Sequence, residues 1–311
     1  MNLSPENFAR AATFVKTHAR AVDRCLFAYY FEDPTSEGSP ASEVLEALRT
    51  FQNPDGGFGH GMEPDFRLPA SSAMATSVGL QNCLAVGAPP EHPVVQAAIQ
   101  YLVDTYQTEG DYWPALPLAV NDHPHAFWWG RDSVAAPPEG AWANPSAELV
   151  GYLHYARANV PPELLARATE RARKNLESGV AFGAGQLSFY QLLNWERAAA
   201  FLPEGLADDA RNRILTAYRS LRPLTEEKLA ELPVIALLDF RDPVTAQAFP
   251  EDIDRLIDNI IQQQAEDGAW WPGWHWGQYD DVWEVAKKEW AGRITVDVLH
   301  TLNKYGKLER S

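Results

Sequence analysis

Apolar residues recur at four-residue spacing ahead of three glutamines. Val44 and Leu48 precede Gln52, Ile99 and Val103 precede Gln107, and Leu256 and Ile260 precede Gln264. Such spacing lies along one face of a helix, so each Gln marks the end of an amphipathic helix. The residues that follow read QNPDGGF, QTEGDYW and QAEDGAW. Glycine there accepts the left-handed turn that stops a helix. An aromatic falls at the same distance after each Gln: Phe58, Trp113 and Trp270. The middle copy keeps that distance but moves its glycine.

After a loop of varying length, each copy enters a second apolar segment, over 71–87, 144–160 and 292–306. Ser77, Val78, Leu80 and Leu84 match Thr295, Val296, Val298 and Leu302. The small residues Ala73, Ala75, Ser77 and Gly79 suit a helix packed on several sides. N-caps are expected at Ser71 or Ser72, and at Asn144 before Pro145. Gln52 and Gln107 are 55 residues apart, and Gln107 and Gln264 are 157 apart, close to three such periods. Degenerate copies are therefore expected between them, with helices near 162–178, 185–201, 205–220 and 229–239. Two more helices are expected near 5–18 and 20–31, giving about twelve in all and no strand. Repeats of this length cannot bury their own faces; they stack, and stacked helix pairs can close into a ring.

The phrase Gln-x-x-Asp/Glu-Gly-x-Trp resembles the repeat motif of squalene and oxidosqualene cyclases. DGGFG is similar to the glycine-rich repeats of protein prenyltransferase β subunits. The resemblance implies an all-α fold, the α/α toroid, with an inner ring of helices inside an outer one, and a single domain over 1–311. It also implies that Gln52, Asp55, Gln264 and Asp267 tie helix ends to their neighbours.

Composition narrows the partners. A formal charge of −16 over 311 residues disfavours nucleic acid and anionic membrane surfaces. No run approaches the roughly 18 apolar residues of a membrane span. The two cysteines, Cys25 and Cys83, and a start without a basic-then-apolar segment lead to the expectation of a cytoplasmic protein with reduced thiols. Eleven tryptophans are unevenly spread, with Trp128 and Trp129 adjacent and six from Trp270 to Trp290.

If the copies are equivalent, their loops emerge at one end of the ring and converge. The first loop offers His60, Glu63, Asp65 and Arg67. The second offers Asn121, Asp122, His123, His125, Trp128, Trp129, Arg131 and Asp132. The third offers Trp274, His275, Trp276, Tyr279, Asp280, Asp281, Trp283 and Glu284, with Glu289 and Trp290 at the start of the last helix. Convergent acids among indoles make a candidate active site; the plainer reading is solvated loops whose acids cap helices. Acid–base work requires one carboxyl held protonated, often beside an ionised one. Glu63 with Asp65 is the first candidate set for that, and Asp280, Asp281 and Glu284 the second.

Two substrate classes fit. An isoprenoid or other olefin would be protonated and its cation sheltered by Trp128, Trp129, Trp274, Trp276 and Trp283; the resemblance favours this class. Two features depart from it. The chain has no Asp-x-Asp-Asp run of the class II cyclases, and it has no room for the second toroid they usually carry. Alternatively, a glycan would lie on the same indoles, with two carboxylates cleaving a glycosidic bond. Arg67 and Arg131 could hold an anionic group such as a diphosphate. The third reading is a non-catalytic ligand-binding protein. No cofactor is expected: Mg²⁺ enters only through the Asp-Asp-x-x-Glu pattern of 280–284, and a metal site among His60, His123, His125 and His275 has only a His-x-His to support it.

Overall fold

The computed structural model describes residues 1–33, 39–130, 136–182, 189–231 and 243–309. Among the described residues there are thirteen α-helices and no strand, only isolated bridges. The chain divides into two compact units. One comprises Met1–Ala47 with Tyr218–Ser311, the other Leu48–Ala217.

In the Leu48–Ala217 unit, helices enclosed on all sides alternate with helices buried along one face. After α1 (Pro5–His18), α2 (Ala21–Phe31) and α3 (Pro40–Leu48), this unit holds α4 (Ala73–Ala85), α5 (Pro93–Thr105), α6 (Ala143–Tyr155), α7 (Pro162–Ser178), α8 (Phe189–Ala199) and most of α9 (Glu204–Arg219). α6 is buried without a break from Pro145 to Leu153, whereas α7 buries only Ala168, Ala172, Asn175 and Leu176. The charge-rich α7 can only lie outside; the apolar α6 needs neighbours on every side. α6 packs on α4, α5, α7 and α8.

The other unit ends with α10 (Glu226–Glu231), α11 (Pro243–Ala248), α12 (Ile253–Gln262) and α13 (Asp280–Lys304). It repeats the contrast. α13 is enclosed over its second half, while α12 buries only Leu256, Ile257, Ile260 and Ile261. This is the inner-and-outer pairing of an α/α toroid.

The braces explain why the motif recurs. Gln52 Nε2 donates to the carbonyls of Gly56 and Val94, both at 2.9 Å. Gln264 Nε2 donates to Gly268 O at 2.9 Å and Asn7 O at 3.0 Å. Asp55 and Asp267 each accept the amide two residues on, at 3.0 Å. Gly56 (φ +87°) and Gly268 (φ +90°) then lie against the next helix: a Cβ would sit 2.2 Å from Ala97 O in α5, or 2.5 Å from Arg10 C in α1. α1 thus receives the last turn as α5 receives the first. The middle copy lacks this brace. Gln107 Nε2 reaches only Thr105 O, and Arg167 of α7 holds Asp111 and Thr108 instead.

Several sequence expectations shift. The helices over 5–18 and 162–178 are found at those bounds, and 71–87 contracts to Ala73–Ala85, with Ser72 as its cap accepting from Ala75 N at 3.0 Å. Asn144 is the non-helical residue ahead of Pro145. The 229–239 helix is seen as Glu226–Glu231, its later residues lying outside the described ones, and Pro243–Ala248 is an additional helix.

The repeat register also moves by one. Phe58 N donates to Thr76 Oγ1 at 3.0 Å, and Trp270 N donates to Thr295 Oγ1 at 3.1 Å, so Thr76, not Ser77, matches Thr295. The intervening loops differ in length, and a hydroxyl contact, not spacing, sets this register.

The largest correction is α13, which starts at Asp280, nine residues before Glu289, the earliest start expected for it. Left-handed Gly277 and Tyr279 end the preceding loop. Asp280 and Asp281 then occupy the first turn, where the helix dipole favours negative charge. A tryptophan-, glycine- and proline-rich run without a Ser or Thr cap gave no helical start to read.

Candidate functional site

The first and second loops are joined within the Leu48–Ala217 unit. Arg67 N donates to Pro124 O and Ala126 N to Asp65 O, both at 2.8 Å, with Phe66 and His125 as an antiparallel bridge. This short pairing carries a group of candidate residues into the interior. Glu63, Asp65 and His125 are each only 6% exposed. Glu63 Oε2 accepts the Asp65 amide at 2.8 Å, which fixes one carboxylate over the turn through Pro64. His125 Nδ1 donates to the His123 carbonyl at 2.7 Å. A carbonyl only accepts, so Nδ1 carries a ring proton. The half-buried Arg67 lays its guanidinium against Gly61, and Trp129 meets Phe66 edge-on at 6.1 Å.

The remaining residues of these loops lie further out. His60 is exposed and left-handed, and its Nε2 donates to Asn53 Oδ1 at 2.9 Å. Asn53 in turn donates to Pro69 O and Ser71 Oγ, so His60 belongs to the first brace. His123 is half-buried; Asn121 and Asp122 are exposed. Trp128 is exposed and stands edge-on to exposed Phe127, 5.0 Å between ring centres. Arg131 and Asp132 lie outside the described residues.

The third loop belongs to the other unit, and its residues differ in kind. Trp276 and Trp283 are fully buried and packed together, 5.8 Å between ring centres. Their indoles are core. Trp274 is half-buried against Trp290 at 5.2 Å. His275 is exposed; its Nδ1 accepts Gly277 N, and its Nε2 stands 3.7 Å from Asp280 Oδ1. Asp280, Asp281, Glu284 and Tyr279 are exposed.

Two buried ionic groups escaped the sequence reading. In α6, Glu148 is 1% exposed; it accepts from the Tyr152 hydroxyl and from Arg197 of α8 at 3.1 Å. Burial, and then the Glu148 carboxylate, push the Tyr152 phenol well up. In the other unit, Asp23 of α2 is wholly buried and accepts from Arg20 at 2.7 and 3.3 Å, with Arg293 Nη1 at 4.0 Å. Arg293 Nε donates to Asp297 at 2.8 Å. Burial alone would lower the Arg293 pKa, but the Asp297 and Asp23 carboxylates outweigh it and raise it. The signal was a charge inside an otherwise apolar helical segment, at Glu148 and at Arg293 and Asp297. Motif reading, fixed on loops, passed over it.

Among the described residues, no group of three or more His, Cys, Asp or Glu could hold a metal ion, and no helix is long and apolar enough to cross a membrane. No family model and no curated protein matches the chain. Among solved structures, it is similar to the type II terpene cyclase MstE from Scytonema in its apo form. The TM-score is 0.51 at 14% sequence identity, covering 96% of this chain and 98% of that chain. The likeness supports an α/α toroid as the fold. At this identity the likeness concerns the fold alone; the toroid's site has to be argued from its own residues.

Proposed function

We propose that this toroid is an enzyme using a carboxylic acid of the Glu63–Asp65 pair on an isoprenoid-like substrate. The observation that carries the reading is the burial of both acidic residues, at 6% exposure each, on a loop that pairs with the His125 segment. Of two neighbouring buried acids, one would serve as the proton donor and the other as its ionised partner. The donor would protonate an olefin. His125, on the paired segment, would accept the proton lost when the resulting cation becomes an alkene. The half-buried Trp129, held edge-on by Phe66 of the same pairing, would supply an aromatic face, and such faces shelter cations. Likeness of fold to a terpene cyclase supports the substrate class, while the exposed Asp280, Asp281 and Glu284 make a weaker acid set than Glu63 and Asp65.

The test is product analysis by gas chromatography and mass spectrometry after incubation with squalene, farnesyl diphosphate and geranylgeranyl diphosphate. The wild type is expected to give a cyclised or isomerised product. Glu63→Gln or Asp65→Asn is expected to cut turnover by about 10²-fold or more, the usual loss when a general acid is removed. A wild type that converts none of them, or variants that convert them normally, would remove the assignment.

A second reading, a glycan-active enzyme, is favoured by aromatic faces turned to solvent: Phe127 at 66% exposure, Trp128 at 37% and Tyr279 at 44%. Flat exposed rings suit a pyranose better than a hydrocarbon that must be kept dry. Release of reducing ends from an oligosaccharide panel, lost in Glu63→Gln, would favour this reading over the first.

A further inference from the structure

One stripe of α13 is unlike the rest of that helix. From Ala291 to Leu302 every residue is buried except Arg293, Asp297 and His300. These three recur at helical spacing and extend a line begun by half-buried Trp290, so they share a face. The Arg293 and Asp297 side chains are 14% and 13% exposed. On a helix half otherwise enclosed, this stripe is where solvent reaches it.

The repeat does not require this stripe. In the register set by Thr76 and Thr295, the first copy has Met74, Val78 and Gln81 where the last has Arg293, Asp297 and His300. The glutamine brace, the Asp cap, the docking glycine and the threonine hydroxyl are kept in both; the charges are not. A buried ion pair adds little net stability over apolar residues of similar volume, so architecture gives no reason for it.

The geometry points to a binding site on this stripe for an uncharged, hydroxyl-bearing ligand. The charges are already matched: Arg293 with Asp297 at 2.8 Å, Arg20 with Asp23 at 2.7 Å. An anion would compete with Asp297 for Arg293, and a cation with Arg293 for Asp297. A hydroxyl can donate to one and accept from the other without separating them. Apolar surface flanks the pair: His300 stacks on Tyr30 of α2 at 4.0 Å and 20°, and Trp274 stands edge-on to Trp290. A saccharide and a prenyl alcohol both carry this chemistry. The site is argued independently of the acid chemistry at Glu63.

The experiment follows tryptophan fluorescence and binding heat with cellobiose, maltose, farnesol and the anion cellobionate. Saturable binding of a disaccharide or of farnesol is expected, and which of the two binds identifies the source. Asp297→Asn and His300→Ala should each weaken it at least tenfold. His300→Ala keeps the ion pairs intact and so remains informative if Asp297→Asn does not fold. Binding of none of the neutral ligands, tighter binding of the anion cellobionate than of cellobiose, or normal binding by folded Asp297→Asn or by His300→Ala would overturn the proposal.

Discussion

At the scale of single residues, the two intact glutamine braces make a graded test of the repeat. Gln52→Ala leaves the Gly56 and Val94 carbonyls without their donor and is expected to cost about 1–3 kcal/mol, two hydrogen bonds' worth. Gln264→Ala should cost less, because it also removes a buried Oε1 that has no partner. Gln107→Ala, which loses only a bond to Thr105, should stay within about 0.5 kcal/mol. Urea midpoints of the three variants check the order, and equal losses would contradict it. Asp23→Asn leaves Arg20 and Arg293 facing a neutral group in the interior and should cost about 3–5 kcal/mol in the same assay. The brace residues were legible because each repeats with fixed neighbours. Asp23 and Glu148 were not, because a lone acid inside a helical segment looks the same in sequence whether it faces solvent or an arginine from another helix.

At the scale of elements, helices were legible and joints were not. Amphipathic α1 and α7 announce themselves by period. The start of α13 did not, since its first turn is fixed by left-handed backbone at Gly277 and Tyr279. The pairing of the first two loops is likewise made by backbone groups of Asp65, Arg67, Pro124 and Ala126, which carry no side-chain signature. Docking of a turn on the next helix is testable at Gly268. Gly268→Ala combines left-handed strain with a Cβ set into the α1 backbone, and is expected to cost more than about 2 kcal/mol. Gly87→Ala has similar backbone strain (φ +68°) with nothing within 4 Å, and should cost about 1 kcal/mol. Thermal midpoints of the pair decide whether the docking contact matters; equal shifts would say that it does not.

At the scale of the whole molecule, several buried thiol and phenol groups resist losing a proton. Burial pushes the Cys83 thiol up to about 12, and burial also raises the phenols of Tyr101, Tyr106, Tyr152 and Tyr155. Each folded pKa lies above its unfolded value, so above the ordinary thiol value of about 8.5 the unfolded chain binds fewer protons than the folded one. Stability is therefore expected to be intact below about pH 8.5 and to fall as pH rises towards 12, read as a falling urea midpoint; a flat or rising midpoint would contradict it. In the native state at pH 8, Cys83 should resist iodoacetamide while the partly buried Cys25 reacts slowly. The functional account, at this scale, depends on one joint, the pairing that carries Glu63, Asp65 and His125 inward together. Amide hydrogen exchange at Arg67 and Ala126 measures that joint directly. The account predicts that both amides are strongly protected and exchange at matching rates; an open-chain rate at either one would contradict it.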